Sequence, residues 1–87
     1  MAKVYIPAQW RDLTGATTQL ELDGSSVKQI VAALDRKFPG IAERVCDGDQ
    51  IAAGLAVSID GDISSRGLLA PVAPKSEIHF LPAIGGG

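Results

Sequence analysis

The strongest constraint on the fold is one stripe of apolar residues with helical spacing. Ser26 is a predicted N-cap, and Gln29 three positions later completes an S-x-x-Q capping box. Apolar residues follow at positions i, i+3, i+4, i+7 and i+11, namely Val27, Ile30, Val31, Leu34 and Phe38. Pro39-Gly40 ends the pattern, because proline cannot continue a helix and glycine is favoured just beyond its end. The sequence therefore predicts one amphipathic helix of about three turns.

The other apolar residues alternate with polar ones, which is the period of a half-buried β-strand. A broad loop joins two strands before the helix, and Asp60-Gly61 is typical of a tight hairpin turn. We expect Pro82 to break the last strand, because proline donates no hydrogen bond to a sheet. The predicted strands are 4–6, 17–22, 55–59, 62–63 and 77–81, with a short helical turn at 41–46, a loop at 47–49 and an irregular segment at 64–76.

The order of these elements predicts an α+β fold. One helix covers only one face of a sheet, so we expect a mixed sheet with the helix across one face. This is the layout of a β-grasp, or ubiquitin-like, roll over residues 1–81, followed by a flexible C-terminal tail at 82–87. A ferredoxin-like sandwich is the alternative, but that fold needs a second long helix.

Composition excludes several classes of partner. The 87 residues are 46% hydrophobic, which is enough for one small core. Eight Lys and Arg against ten Asp and Glu give a net charge of −2, whereas nucleic-acid binding needs clustered positive charge. No apolar run approaches the roughly 18 residues of a membrane span. Cys46 is the single cysteine, so we expect no internal disulfide and a cytoplasmic location.

Few side chains are suited to catalysis or metal binding. Cys46 and His79 are the single cysteine and histidine, which is fewer than the usual zinc site requires. The sequence contains no glycine-rich phosphate-binding motif. We therefore expect no enzyme activity, no bound metal and no cofactor. Cys46 is interpreted as a small buried apolar residue and His79 as a surface or cross-strand residue.

The C-terminal tail carries the most informative chemistry. Residues 82–87 extend about 20 Å beyond the last strand and end in three glycines. Lacking side chains, these glycines can enter a narrow channel in a partner. There the unhindered Gly87 carboxylate can attack the α-phosphate of ATP, and the resulting acyl-adenylate accepts sulfide, a thiol or an amine. A glycine-rich end can also be a flexible tail or linker without such a role.

The expected partner surface combines the exposed face of the sheet with the tail. Leu81 and Ile84 supply apolar contacts, and Trp10 either anchors a partner or caps the core. The residues expected to be recognised in the tail are Pro82, Ile84, Gly85 and Gly86.

Over nearly the whole chain, the sequence resembles the ThiS/MoaD-like sulfur-carrier proteins of the ubiquitin-like superfamily. The resemblance rests on strand 3–6, the loop at 8–15, Phe38-Pro39-Gly40-Ile41 and the ending Phe-Leu-Pro-Ala-Ile-Gly-Gly-Gly at 80–87. It implies that Gly86 and Gly87 are the terminal glycine pair, and that the Gly87 carboxylate is adenylated and becomes a thiocarboxylate. Gly85 stands where alanine or serine is more usual. The Leu-Pro-Ala-Ile and Pro-Gly-Ile segments look closer to the cysteine-biosynthesis and molybdopterin carriers than to the shorter thiamin carriers.

The resemblance implies a sulfur carrier with two kinds of partner. One is an ATP-dependent activating (adenylating) enzyme of the ubiquitin-activating type. The other is a sulfur-accepting biosynthetic enzyme, such as a molybdopterin synthase large subunit, a thiazole-synthase-like enzyme or a cysteine synthase-like enzyme. A ubiquitin-like modifier joined through Gly87 to target lysines shares the same activation step, so it remains an alternative. A passive binding module with an incidental tail is a third hypothesis.

Overall fold

The computed structural model describes residues 1–82, and in it a mixed five-stranded sheet packs against one long helix. The strands are β1 (Ala2–Tyr5), β2 (Gln19–Leu22), β3 (Cys46–Asp47), β4 (Gln50–Ile51), β5 (Leu55–Ile59), β6 (Asp62–Ile63) and β7 (Glu77–Pro82). The helices are α1 (Arg11–Thr14), α2 (Val27–Lys37) and α3 (Ile41–Val45), with 3-10 turns at Ala8–Trp10 and Gly67–Leu69. The predicted α+β architecture is confirmed.

The first and last strands of the described segment lie side by side in the sheet, whose order is β2-β1-β7-β5-β6. β1 and β7 are parallel, whereas β1 pairs antiparallel with β2 and β7 pairs antiparallel with β5. Parallel neighbours need a long crossover between them, and α2 lies in that crossover. β7 consequently has a hydrogen-bonded strand on each side.

Helix α2 buries the predicted apolar stripe. Val27, Ile30 and Leu34 are each 0% exposed, and burying such side chains stabilises the fold by about 1.5–3 kcal/mol each. At the N-terminus, the Ser26 hydroxyl accepts a hydrogen bond from the Gln29 amide at 3.3 Å. The Gln29 side-chain oxygen accepts from the Ser25 amide at 2.7 Å. The capping box thus closes on the residue before the N-cap, one position earlier than the motif implies.

The turn after α2 is held by hydrogen bonds to a side chain in the last turn of that helix. Gly40 has a φ of +102°, a conformation that favours glycine. The Asp35 carboxylate accepts hydrogen bonds from the amides of Gly40 at 3.1 Å and Ala42 at 3.0 Å. These contacts direct the chain into α3, the short helix expected there, which buries Ile41 and Val45.

Two local predictions need correction. The loop expected at 47–49 is shorter, because Asp47 is in a small antiparallel ribbon and only Gly48 and Asp49 form its turn. In this ribbon Cys46 pairs with Ile51 and Asp47 with Gln50. The final strand does not break before Pro82, because Pro82 pairs opposite Leu55 at the end of β7. A proline is tolerated at a strand end, since only its missing amide hydrogen bond is lost there. Of the predicted tail 82–87, only Pro82 is among the described residues.

None of the helices in the part of the chain described here is long and apolar enough to cross a membrane.

Candidate functional site

Strand β7 places the start of the C-terminal tail in the middle of the sheet. Ile78 is 0% exposed and Phe80 is 3% exposed, which anchors the strand in the core beneath α2. His79 and Leu81 alternate with them, so they lie on the opposite, open face of the sheet. Pro82, the last described residue, is exposed.

One row of aligned residues crosses the whole sheet on its open face, although Ser58 within the row is 5% exposed. Strand register aligns Tyr5 with His79, and His79 with Ser58. Gln19 on β2 and Ile63 on β6 extend the row at its two ends. Ile63 is 61% exposed, so this row ends in an accessible apolar side chain.

A stacked aromatic pair occupies the centre of that row. The rings of Tyr5 and His79 have centroids 4.1 Å apart and an interplanar angle of 7°. The Tyr5 hydroxyl donates a hydrogen bond to Glu77 Oε1 at 3.4 Å. This confirms the interpretation of His79 as a cross-strand residue.

Leu81 lies beside this row, nearer the start of the tail. It pairs opposite Ala56 on β5, and both side chains are partly buried. Leu81 thus keeps part of its apolar surface open to a partner. It remains a predicted contact, together with Pro82.

Trp10 is not part of the partner surface, so that assignment is wrong. The indole is 3% exposed and its ring centroid lies 5.2 Å from that of Phe80, at an angle of 50°. The 3-10 turn Ala8–Trp10 and helix α1 turn the side chain inward. A tilted aromatic contact in the core is more favourable than an exposed indole. Of its two expected roles, Trp10 has the core one.

The other tail residues assigned to the site are Ile84, Gly85, Gly86 and Gly87, and they lie outside the described residues. Their roles in tail recognition and in adenylation therefore stay predictions.

The described titratable groups form no metal cluster. Within residues 1–82, no group of three or more His, Cys, Asp or Glu side chains is placed to hold a metal ion. Partial burial raises the pKa of the Cys46 thiol, which keeps it protonated and weakly nucleophilic at neutral pH. Cys46 packs against the core but is only partly buried, so its interpretation as a buried apolar residue is confirmed only in part.

One exposed ion pair links two helices of the scaffold. Arg44 on α3 donates to both carboxylate oxygens of Asp12 on α1, at 2.6 and 3.1 Å. The hydrogen bond from Arg44, with its charge, lowers the pKa of Asp12 below the ordinary range. The pair braces the loop that carries Trp10.

Comparison with known proteins identifies the family. The family model of the ThiS family matches residues 4–87, from the first strand through the terminal glycines. The chain belongs to the ThiS family. A search of curated proteins found no match.

Solved structures agree with this membership. This ThiS-family chain is 27% identical to a chain of the BexX/CysO complex from Amycolatopsis orientalis, with all of both chains covered and a TM-score of 0.88. It is 26% identical to the small archaeal modifier protein 1 (SAMP1) from Methanosarcina acetivorans, covering 99% of this chain and 95% of that one, with a TM-score of 0.78. CysO from Mycobacterium tuberculosis, at 22% identity, 97% and 100% coverage and a TM-score of 0.87, supports the fold alone. The predicted β-grasp fold and the family resemblance are both confirmed.

Sequence reasoning identified β7 but not the row across the sheet. Alternation places Tyr5 and His79 on outward faces, yet it does not say that β1 and β7 are neighbours. Their stacking depends on a parallel register between residues 74 positions apart, which no local pattern specifies. The sequence predicts a strand at Ile63, and the structure adds that its side chain is exposed.

Proposed function

We propose that this ThiS-family domain is a sulfur carrier that acts through the carboxylate of Gly87. An activating enzyme of the ubiquitin-activating type adenylates the carboxylate, a sulfur donor converts it to a thiocarboxylate, and a biosynthetic enzyme accepts the sulfur. The acceptor serves the synthesis of cysteine, molybdopterin, thiamin or another sulfur-containing metabolite. The observation that carries the proposal is the family match through Gly87. The position of β7, whose end lies beside an open sheet face, supports it.

The chemistry requires activation because a carboxylate is a poor electrophile. A Gly87 carboxylate oxygen attacks the α-phosphorus of ATP, and pyrophosphate leaves. Hydrosulfide then attacks the acyl carbon of the mixed anhydride, AMP leaves, and a thiocarboxylate forms. Transfer of its sulfur to an acceptor, with water supplying the oxygen, restores the carboxylate. The domain contributes the carbonyl and the recognition surface, and the partners contribute the catalytic groups, so we infer that it is no enzyme. The use of ATP fits a cytoplasmic location.

The open face of the sheet is the proposed docking surface for the activating enzyme. Leu81 supplies an apolar contact close to the tail, and the Tyr5–His79 stack supplies a firm centre. We expect Leu81→Arg to lower kcat/KM for adenylation by about tenfold or more, as at a central interface residue. ATP–pyrophosphate exchange measures this rate, and far-UV circular dichroism checks the fold.

Ala32→Arg is the matched control. Ala32 is exposed on α2, which packs on the opposite face of the sheet from Leu81. We expect adenylation of this variant to equal that of the wild type. Equal rates for Leu81→Arg and the wild type would contradict the docking surface.

Mass spectrometry tests the sulfur chemistry itself. Cys46→Ser protein, incubated with activating enzyme, ATP and sulfide, should gain the mass difference between sulfur and oxygen at its C-terminus. The Cys46→Ser background is needed because a free thiol also reacts with sulfur reagents. A chain whose Gly87 carboxylate is replaced by an amide should gain no sulfur. If the amide form supported sulfur transfer, the proposal would be wrong.

A covalent protein modifier is the second candidate function. The similarity to SAMP1, whose name describes a modifier, favours it. Activated Gly87 would then form an amide with a lysine of a target, with AMP or the enzyme's thiol leaving. Adducts of higher mass in cell extract, carrying Gly87 linked to lysine after proteolysis, would support the modifier. Thiocarboxylate without such adducts would support the carrier.

A further inference from the structure

A cleft lies along the outer edge of β5, on the other side of that strand from β7. Its volume is about 440 Å³, and its walls are 49–51, 55–57 and 64–69. β6 pairs only with Ser58 and Ile59. Beside Leu55, the cleft therefore occupies the position where another strand would continue the sheet.

The wall that carries Arg66 is held in place by backbone contacts. The Ser64 amide donates to the Val57 carbonyl at 2.9 Å, and the Arg66 amide donates to the Ser64 hydroxyl at 3.1 Å. Gly67 has a φ of +55°, and a Cβ there would lie 3.4 Å from Ile51 Cγ1. The loop thus packs closely on the neighbouring ribbon, so Arg66 projects from a preformed wall.

The cleft offers an uncommitted positive charge. Within residues 1–82, Arg44 and Asp12 form the ion pair that is found at a distance below 4.0 Å. The exposed Arg66 has no carboxylate partner among these residues. Asp49 lies on another wall of the cleft. A guanidinium binds a carboxylate through paired N–H groups, so an anionic ligand fits at the Arg66 side, away from Asp49.

We propose that this cleft binds the carboxyl end of the chain's own tail, with the Gly87 carboxylate on the Arg66 guanidinium. The tail starts at Pro82, which pairs opposite Leu55. Because Leu55 is part of the cleft wall, the tail starts one strand spacing, about 4.8 Å, from that wall. Residues 83–87 span up to about 17 Å. A glycine backbone can turn across the end of β5.

Tethering increases the population of a weak contact. A short flexible linker gives an effective concentration on the order of millimolar, and an exposed ion pair alone is weak. Docking would withhold the Gly87 carboxylate until an activating enzyme displaces it. That consequence rests on the proposed function, whereas the contact itself does not.

Paramagnetic relaxation in NMR spectra of the full chain tests the contact. A nitroxide is attached at Gln50→Cys on the cleft wall, in a Cys46→Ser background. We expect it to broaden the amide signals of Gly86 and Gly87 strongly at low salt. Molar NaCl should reduce this broadening, because salt screens an exposed ion pair.

Charge variants make the test specific. Arg66→Gln should reduce the relaxation enhancement at Gly87 by about twofold or more, as expected for loss of an exposed ion pair. Asp49→Asn should increase it, since a repulsive charge is removed. Lys75→Gln, which removes an exposed positive charge outside the cleft, should leave it unchanged.

Two outcomes would overturn the proposal. One is equal broadening in Arg66→Gln and in the wild type. The other is persistent broadening when spin-labelled and isotope-labelled chains are separate molecules, because the tail then binds a second copy. No activating enzyme is present in this experiment, so its result is independent of the sulfur-transfer assay.

Discussion

Replacing Trp10 with alanine should remove a large part of the domain's stability. The indole is 3% exposed and packs against Phe80. A buried tryptophan removes about 150–250 Å² from water, which at about 25 cal/mol per Å² corresponds to roughly 4–6 kcal/mol. Measured costs of such truncations are about 3–5 kcal/mol. A domain of 87 residues has a free energy of unfolding of about 4–13 kcal/mol, so the variant should lose about a quarter of its stability or more.

Urea unfolding followed by far-UV circular dichroism measures the effect. Circular dichroism is needed because Trp10 is the single tryptophan and its fluorescence is lost in the variant. Leu69→Ala is the control, since it truncates a side chain that is 73% exposed, and it should change stability by less than about 0.5 kcal/mol. A loss below about 1 kcal/mol for Trp10→Ala, together with failure to bind the activating enzyme, would refute the core placement.

Three further predictions concern the scaffold. Asp12→Asn should lower stability at neutral pH, because Arg44 lowers the pKa of Asp12 in the folded protein. The difference from the wild type should be fully present above the pKa of Asp12 in the unfolded chain, and it should disappear as the pH falls through its pKa in the folded protein. Urea titrations at several pH values measure this difference. Burial raises the pKa of Cys46, so iodoacetamide should alkylate it more slowly than a free thiol, and urea should restore the ordinary rate. Gly67→Ala should lower stability by about 1–2 kcal/mol, since φ is +55°; an unchanged melting temperature would contradict this.

The helix and the hairpin turn were predictable because their signals are local. The stripe of α2 repeats over 11 residues, which is long enough for its period to be unambiguous. Asp60 and Gly61 have φ values of +53° and +90°, as the tight turn of a hairpin requires. The prediction of this turn is confirmed by the pairing of Ile59 with Asp62.

The features that were missed depend on contacts distant in sequence or on very short elements. β3 and β4 have two residues each, too few to show an alternating pattern. The direction of the Trp10 side chain depends on how a 3-10 turn leads into α1. The cleft beside Arg66 is formed by segments from three parts of the chain, which no local pattern specifies. Sequence patterns specify elements better than they specify which elements meet.

The central position of β7 has a mechanical consequence. A partner that draws the tail into a channel pulls along β7, which is bonded to β1 on one side and to β5 on the other. Such a pull loads both hydrogen-bond ladders in shear, so many bonds resist together instead of opening one after another. The domain can therefore remain folded under traction while its end is threaded through an enzyme.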